Sequence, residues 1–311
     1  MTVAPLVTGV GSVPHTDPDL AASFVLATTT LPYVPQLPNR HPEERMLIQW
    51  GDGLCGCGAV DTSIGLGHGA PVGPRDEAFG GAATLLSRLG PDVSAIKTQA
   101  TGPVTLALGL LAAGHPGPGL LDCVTAGLTG RVDDHLSSLA SHLPQADITL
   151  IFDEPGLAGL LVPGFPISGG DARAALAEVL RAAPVRTGVH CCADTDWSVV
   201  AGARPSLISW DISVLGSAFV EHAETLAAAT WEGTEFIWGV VPTQTFPPPA
   251  DLALRLQRTV GRLVTSGARM AGLLEDAMFS PACGLAALTE GQAEIVAQTV
   301  VRVAGELAAD G

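Results

Sequence analysis

The sequence predicts an α/β fold, a single (β/α)8 (TIM) barrel spanning residues 1–311. Three observations predict it. Short β-like runs alternate with Ala- and Leu-rich helical patterns, the mark of a parallel sheet with crossover helices. The runs number eight, and 311 residues suit eight such units in one domain. The chemically active residues sit at the ends of the runs, and a barrel gathers those ends on one face. An open doubly wound sheet is the alternative arrangement.

The first run, "LVTGVGS" (6–12), closes on Gly11 and Ser12. The second, "LPYVPQL" (31–37), leads into a long Gly-rich loop, 40–71, expected over the mouth of the barrel. The third is "SAIKTQA" (94–100), and the fourth, "DITLIFDEP" (147–155), closes on Asp153, Glu154 and Pro155. The fifth, "PVRTGVHCC" (184–192), ends in His190, Cys191 and Cys192. The sixth, "SLISWDIS" (206–213), carries Asp211; the seventh is "EFIWGVV" (235–241); the eighth, "AMFSPACG" (277–284), carries Cys283. Helical patterns lie between them, as at 170–183 and 249–267. The latter has a Pro and an Asp at its start and a Gly after its end.

Hydrophobic residues make up 47% of the chain, enough to drive folding. The apolar runs are broken by Gly, Pro or charge well short of a membrane span, and the N-terminus has no leader pattern, so a cytoplasmic protein is expected. Against 15 Lys and Arg stand 31 Asp and Glu, a net charge of −16. Such a chain repels nucleic acid and anionic membrane, so neither is expected as a partner. In a cytosolic chain the six cysteines read as metal ligands or buried thiols rather than disulfides.

In a strand, residues i and i+2 face the same side. His190 and Cys192 therefore point into the mouth together, while Cys191 points back as a small buried hydrophobe. Cys283 and Asp211 end other strands. One imidazole, two thiolates and one carboxylate match what Zn2+ accepts in tetrahedral geometry. The remaining candidates have plainer readings. Cys55-x-Cys57 lacks the usual ligand spacing and reads as loop, and Cys123 reads as core. His15, His41, His68 and His222 read as surface or loop residues. Glu154 serves equally as a helix cap, whereas Asp153 should point inward.

Taken together, "TGVGSVPHT", "IKTQATGPVT", "FDEPGL", "HCC" and "SPACGLAALTE" resemble the C-terminal catalytic domain of cobalamin-independent methionine synthase. That domain belongs to a superfamily that includes uroporphyrinogen decarboxylase. The order and spacing agree from about residue 6 to residue 300, in a short, single-barrel form. The resemblance implies a zinc-dependent methyltransferase acting on the thiol of homocysteine. Its zinc ligands would be His190, Cys192, Asp211 and Cys283, with Asp211 in place of the family's longer Glu. Ser12 and Asp153 would hold the amino-acid part of homocysteine. The family's further homocysteine-binding Glu falls near Gln49, and its proton-donating His falls near Gln244. Its folate-stacking Trp falls at Gly109 and its folate-binding Glu at Gly159.

The thiol half of the reaction is thus kept and the donor half changed. The expected donor is methyltetrahydrofolate or a methylcorrinoid on its carrier protein, the second being favoured. Two other readings stand beside this one. A uroporphyrinogen decarboxylase-like enzyme needs a basic mouth, which a chain poor in Arg does not supply. A non-catalytic, regulatory zinc-binding barrel would keep the metal and lose the donor.

Overall fold

The computed structural model describes residues 5–56, 76–90, 92–270, 273 and 277–309. Cys57, His68 and much of the Gly-rich loop lie outside the described residues. Seven parallel strands form one curled sheet: β1 (Leu6–Val7), β2 (Ala95–Thr101), β3 (Asp147–Asp153), β4 (Arg186–Cys191), β5 (Leu207–Asp211), β6 (Glu235–Val241) and β7 (Met278–Pro281). From β2 to β7 each strand pairs with its successor, and β1 pairs with β7. The helical patterns read at 170–183 and 249–267 are helices Gly169–Ala182 and Pro249–Thr265. No helix among the described residues is long and apolar enough to cross a membrane.

The expectation of eight strands in a closed barrel is corrected: among the described residues the sheet has seven strands and is open between β1 and β2. The run 31–37 lies in that gap but is not a strand. It makes isolated bridges, Tyr33 to Lys97 on one side and Gln36 to Ser12 on the other. Val34 N–H donates to Lys97 O at 2.9 Å, and Gln36 N–H donates to Gly11 O at 3.0 Å. Pro32 and Pro35 have no N–H to give, so a continuous ladder cannot form.

Strand alternation divides the core. Leu31, Ile151, Leu207, Ile237 and Met278 form a separate apolar cluster, whereas Leu150 and Phe152 belong to the main core. The small cluster fills the inside of the curl, and the polar site lies along the strands beyond it. On the other face Trp210 stacks on Phe236 at 4.7 Å and meets Trp197 edge-on at 5.2 Å. These rings fasten β5 and β6 to helix Trp197–Gly202.

Helix Leu120–His142 presents Cys123, Gly127, Arg131 and His135 at i, i+4 spacing, hence on one face. That face holds the segment after helix Met46–Gly51. Cys123 is disulfide-bonded to Cys55 across a Cα separation of 5.7 Å. This corrects the expectation that the cysteines are metal ligands or buried thiols rather than disulfides, and with it the core reading of Cys123, which lies at the surface. Sequence spacing could not show that a loop thiol and a helix thiol 68 residues apart would meet. Leu54 packs where a side chain at Gly127 would stand. Arg131 donates to the carbonyls of Trp50 and Asp52 at 2.9 and 2.7 Å.

His135 lies edge-on to Trp50 and stacks on Phe79, with Nε2 2.8 Å from Thr98 Oγ1. Burial pulls its pKa down to about 4. Between that value and about 6.5 the unfolded chain binds the extra proton, so stability falls as pH drops. The raised carboxyls of Asp153 and Glu154 slope the other way, so the difference between two proteins is the useful measure. From about pH 7 to about pH 5 the wild type should lose about 2 kcal/mol more stability than His135→Gln. Urea titrations at both pH values check this; equal losses would show that His135 does not titrate as its burial dictates.

Candidate metal centre

His190 ends the inner face of β4, and its register partner on β5 is Ser209. His190 Nδ1 lies 2.8 Å from Ser209 Oγ, and both residues are buried. The other nitrogen, Nε2, is buried and has no hydrogen-bond partner among the described residues. Cys192 follows β4 and Cys283 follows β7. In a flat sheet two intervening strands would separate them by roughly 14 Å, at about 4.8 Å per strand. The curl of the sheet removes that separation: the ligand atoms of His190, Cys192 and Cys283 all lie within 4.8 Å of one another. Cys191 is 1% exposed and packs in the main core, as alternation requires.

The Cys192 and Cys283 thiols face each other as hydrogen-bond partners. The bond from Cys192, followed by the nearby His190, holds the Cys283 thiol below its ordinary range. Cys192, which donates that bond from a partly buried place, is pushed up. The centre thus offers two thiols and an imidazole nitrogen facing one another. The donor set fits Zn2+, and a bond from Nδ1–H to the Ser209 hydroxyl would fix the tautomer that leaves Nε2 free.

Asp211 ends β5, and its Oδ1 accepts from Ser213 N–H at 2.7 Å. Burial raises its pKa; its interactions with Cys283 and His190 place its charge beside the centre, although it stands outside the group of three. Asp153 ends β3, in register between Thr101 and His190. It is buried, and its Oδ1 has no hydrogen-bond partner among the described residues. Burial raises Asp153 to about 6, with His190 and Lys97 opposing. Ser12 abuts Cys283's neighbour: its Oγ fills the space a side chain at Gly284 would need, and its carbonyl accepts from Leu285 N–H at 2.8 Å.

The other sequence candidates lie differently. Gln49 is buried with both ends of its amide engaged, Oε1 by Gln36 and Nε2 by the Ala78 carbonyl. Gln244 is exposed in the segment after β6. Gly159 lies in the turn Pro155–Leu161, with the Phe165 ring where its side chain would be. Glu154 is a cap, but of another helix than the one that follows it: it makes no side-chain bond to the turn Pro155–Leu161. Its carboxylate accepts from the N–H groups of Val104 and Thr105, each at 2.8 Å, and from the Thr105 hydroxyl, closing the start of helix Pro103–Ala112. His15 is buried against Phe24 rather than at the surface, because helix Pro18–Thr28 folds back over it.

Sequence reasoning missed two residues of the site. Ser209 lies two residues before Asp211 on β5, so strand alternation alone could have put both on one face. Lys97 is an ammonium 2% exposed in the middle of β2. Burial lowers its pKa to about 8, and the field of Asp153 opposes the fall. The signal for it was a lone Lys in an otherwise uncharged strand run.

Fold and site together define a parallel α/β protein with a His-Cys-Cys cluster at the carboxyl edge of its sheet. No protein-family model matches the chain, and no curated protein matches it. Among solved structures it is similar to a B12-independent methionine synthase from Shewanella sp. W3-18-1 in complex with selenomethionine. That match has 15% identity and a TM-score of 0.48, covering 74% of this chain and 65% of that one. It is also similar to a candidate vitamin-B12-independent methionine synthase from Listeria monocytogenes, at 14% identity and a TM-score of 0.46, covering 68% of this chain and 64% of that one. The chain thus spans just under two thirds of the length of either structure.

Proposed function

We propose that this chain is a zinc-dependent S-methyltransferase that methylates the thiol of homocysteine to give methionine, with a methylcorrinoid favoured over methylfolate as donor. One observation carries the reading: a buried imidazole nitrogen, unpartnered among the described residues, and two thiols converge within 4.8 Å at the carboxyl edge of the sheet. Zn2+ held by His190, Cys192 and Cys283, with Asp211 as a fourth donor, would supply a Lewis acid that keeps a thiol of ordinary pKa about 8.5 ionised at neutral pH.

The chain's own residues do the rest. The free oxygen of Asp153 accepts the substrate ammonium, and the Ser12 hydroxyl, beside Cys283, receives its carboxylate end. The thiol proton goes to solvent. The sulfur then attacks the methyl carbon; a C–S bond forms as the bond from methyl to donor breaks, and that electron pair leaves with the donor. The segment 31–37 serves as the eighth position of an incomplete barrel around this site.

Elemental analysis of the purified protein, followed by calorimetric titration with homocysteine, tests the reading. Binding should require zinc and release about one proton per thiol at neutral pH. Absence of zinc, or homocysteine binding that is unchanged after zinc is stripped, would overturn it.

A further inference from the structure

The sheet is open between β1 and β2, yet Ser12, on the chain that continues β1, must be held against the site. Two inward residues of β2 cross the gap. Lys97 Nζ donates to Val10 O at 2.7 Å and lies 3.4 Å from Gln99 Oε1. Gln99 Nε2 donates to Val34 O at 2.8 Å. The chain can pass this closely because Gly9 and Gly11 have no side chains: a Cβ at Gly9 would strike the Tyr33 ring, and one at Gly11 would lie 2.6 Å from the Gln99 side chain. A buried ammonium costs several kcal/mol unless its protons and charge are met. Here the protons meet the carbonyl of Val10 and the amide of Gln99, and the charge meets the field of Asp153.

We propose that Lys97 is a positioning residue that reinforces the isolated bridges of segment 31–37, tying the Val10–Ser12 segment directly to β2 while its charge faces Asp153. It thereby sets the two groups that read an amino-acid thiol, Ser12 and Asp153, in one place relative to the metal ligands. This rests on the thiol-methylation reading for its substrate, but not for the tie itself. Lys97 differs from the ligands in its consequence: removing it loosens recognition of the charged part of the substrate and leaves the sulfur end intact.

The test uses zinc-loaded Lys97→Met. Homocysteine affinity should fall at least about 10-fold, while affinity for propane-1-thiol, which has neither ammonium nor carboxylate, changes less than about 3-fold. Zinc content should stay at the wild-type level. Equal loss for both thiols, or unchanged homocysteine affinity, would overturn the proposal. Without any thiol, hydrogen exchange at Gly11, Ser12 and Val13 should quicken at least about 10-fold, with helix Glu290–Ala309 unaffected. Unchanged exchange would overturn the tie. Should Lys97→Met not fold, Gly11→Ala, whose Cβ would collide with the end of the Gln99 side chain, disturbs the same contacts across the gap and should produce the same split between the two thiols and the same faster exchange. If the wild type binds neither thiol, the methyltransferase reading falls and the exchange rates alone decide the role of Lys97.

Discussion

Replacing Cys192 or Cys283 by Ser is expected to abolish zinc retention, from one ion per chain to less than about a tenth, while Cys191→Ser retains it. The three thiols differ in placement, not in chemistry. Cys192 and Cys283 bring their sulfurs to His190, and Cys191 is buried in the main core on the opposite face of the strand. A serine hydroxyl does not ionise at neutral pH and is a poor zinc donor, so either ligand variant leaves an incomplete set. Cys191→Ser instead buries a hydroxyl in apolar surroundings, a cost of about 1–3 kcal/mol in stability with no effect on the ligand atoms. Ser209→Ala should fall between, lowering zinc affinity about 10- to 100-fold by freeing the His190 ring. Zinc analysis after dialysis against a weak chelator, with melting curves as the control for folding, reads all four variants. Equal zinc loss in Cys191→Ser and Cys192→Ser would contradict the strand alternation on which the centre is built.

The second large effect concerns the donor. This protein should bind methyltetrahydrofolate about 100- to 1,000-fold more weakly than an enzyme carrying the aromatic and carboxylate contacts that the resemblance assigns to positions 109 and 159. A lost aromatic stack costs about 0.5–1.5 kcal/mol beyond its buried area, and a lost charged hydrogen bond about 1.5–3 kcal/mol. Gly109, on helix Pro103–Ala112, offers no ring. At Gly159 the loss goes further, because Phe165 occupies the space a longer side chain would need. Nearby tryptophans do not replace the stack: Trp50 and Trp238 are both 0% exposed, and Trp238 Nε1 is bound to the Leu273 carbonyl at 2.9 Å. The net charge of −16 adds repulsion against a polyglutamate tail. Calorimetry with methyltetrahydrofolate, and turnover with folate and methylcorrinoid in parallel, measure this. Tight folate binding with efficient methionine formation would mean that other groups form the donor site.

Much of the protein is determined by residues acting locally, and that part is readable in one dimension. Alternation along a strand has a period of two, so His190 and Cys192 share a face and Cys191 takes the other whatever the rest of the chain does. Alternating strand and helix patterns select a parallel α/β sheet, and strand-end residues such as Asp153 and Asp211 then fall on its carboxyl edge. Other features depend on where distant segments come to rest. The prolines of 31–37 were visible, but whether that run would pair as a strand depended on which donors β2 and the Ser12 segment needed. Cys55 and Cys123 meet only because helix Leu120–His142 packs on the segment after Gly51. Lys97 reads as an unplaced charge until the open edge of the sheet turns its ammonium toward Val10 and Asp153. Periodicity sets the direction in which a side chain points, whereas the closing curvature of the sheet, a sum over all its strands and helices, decides what that side chain finds there.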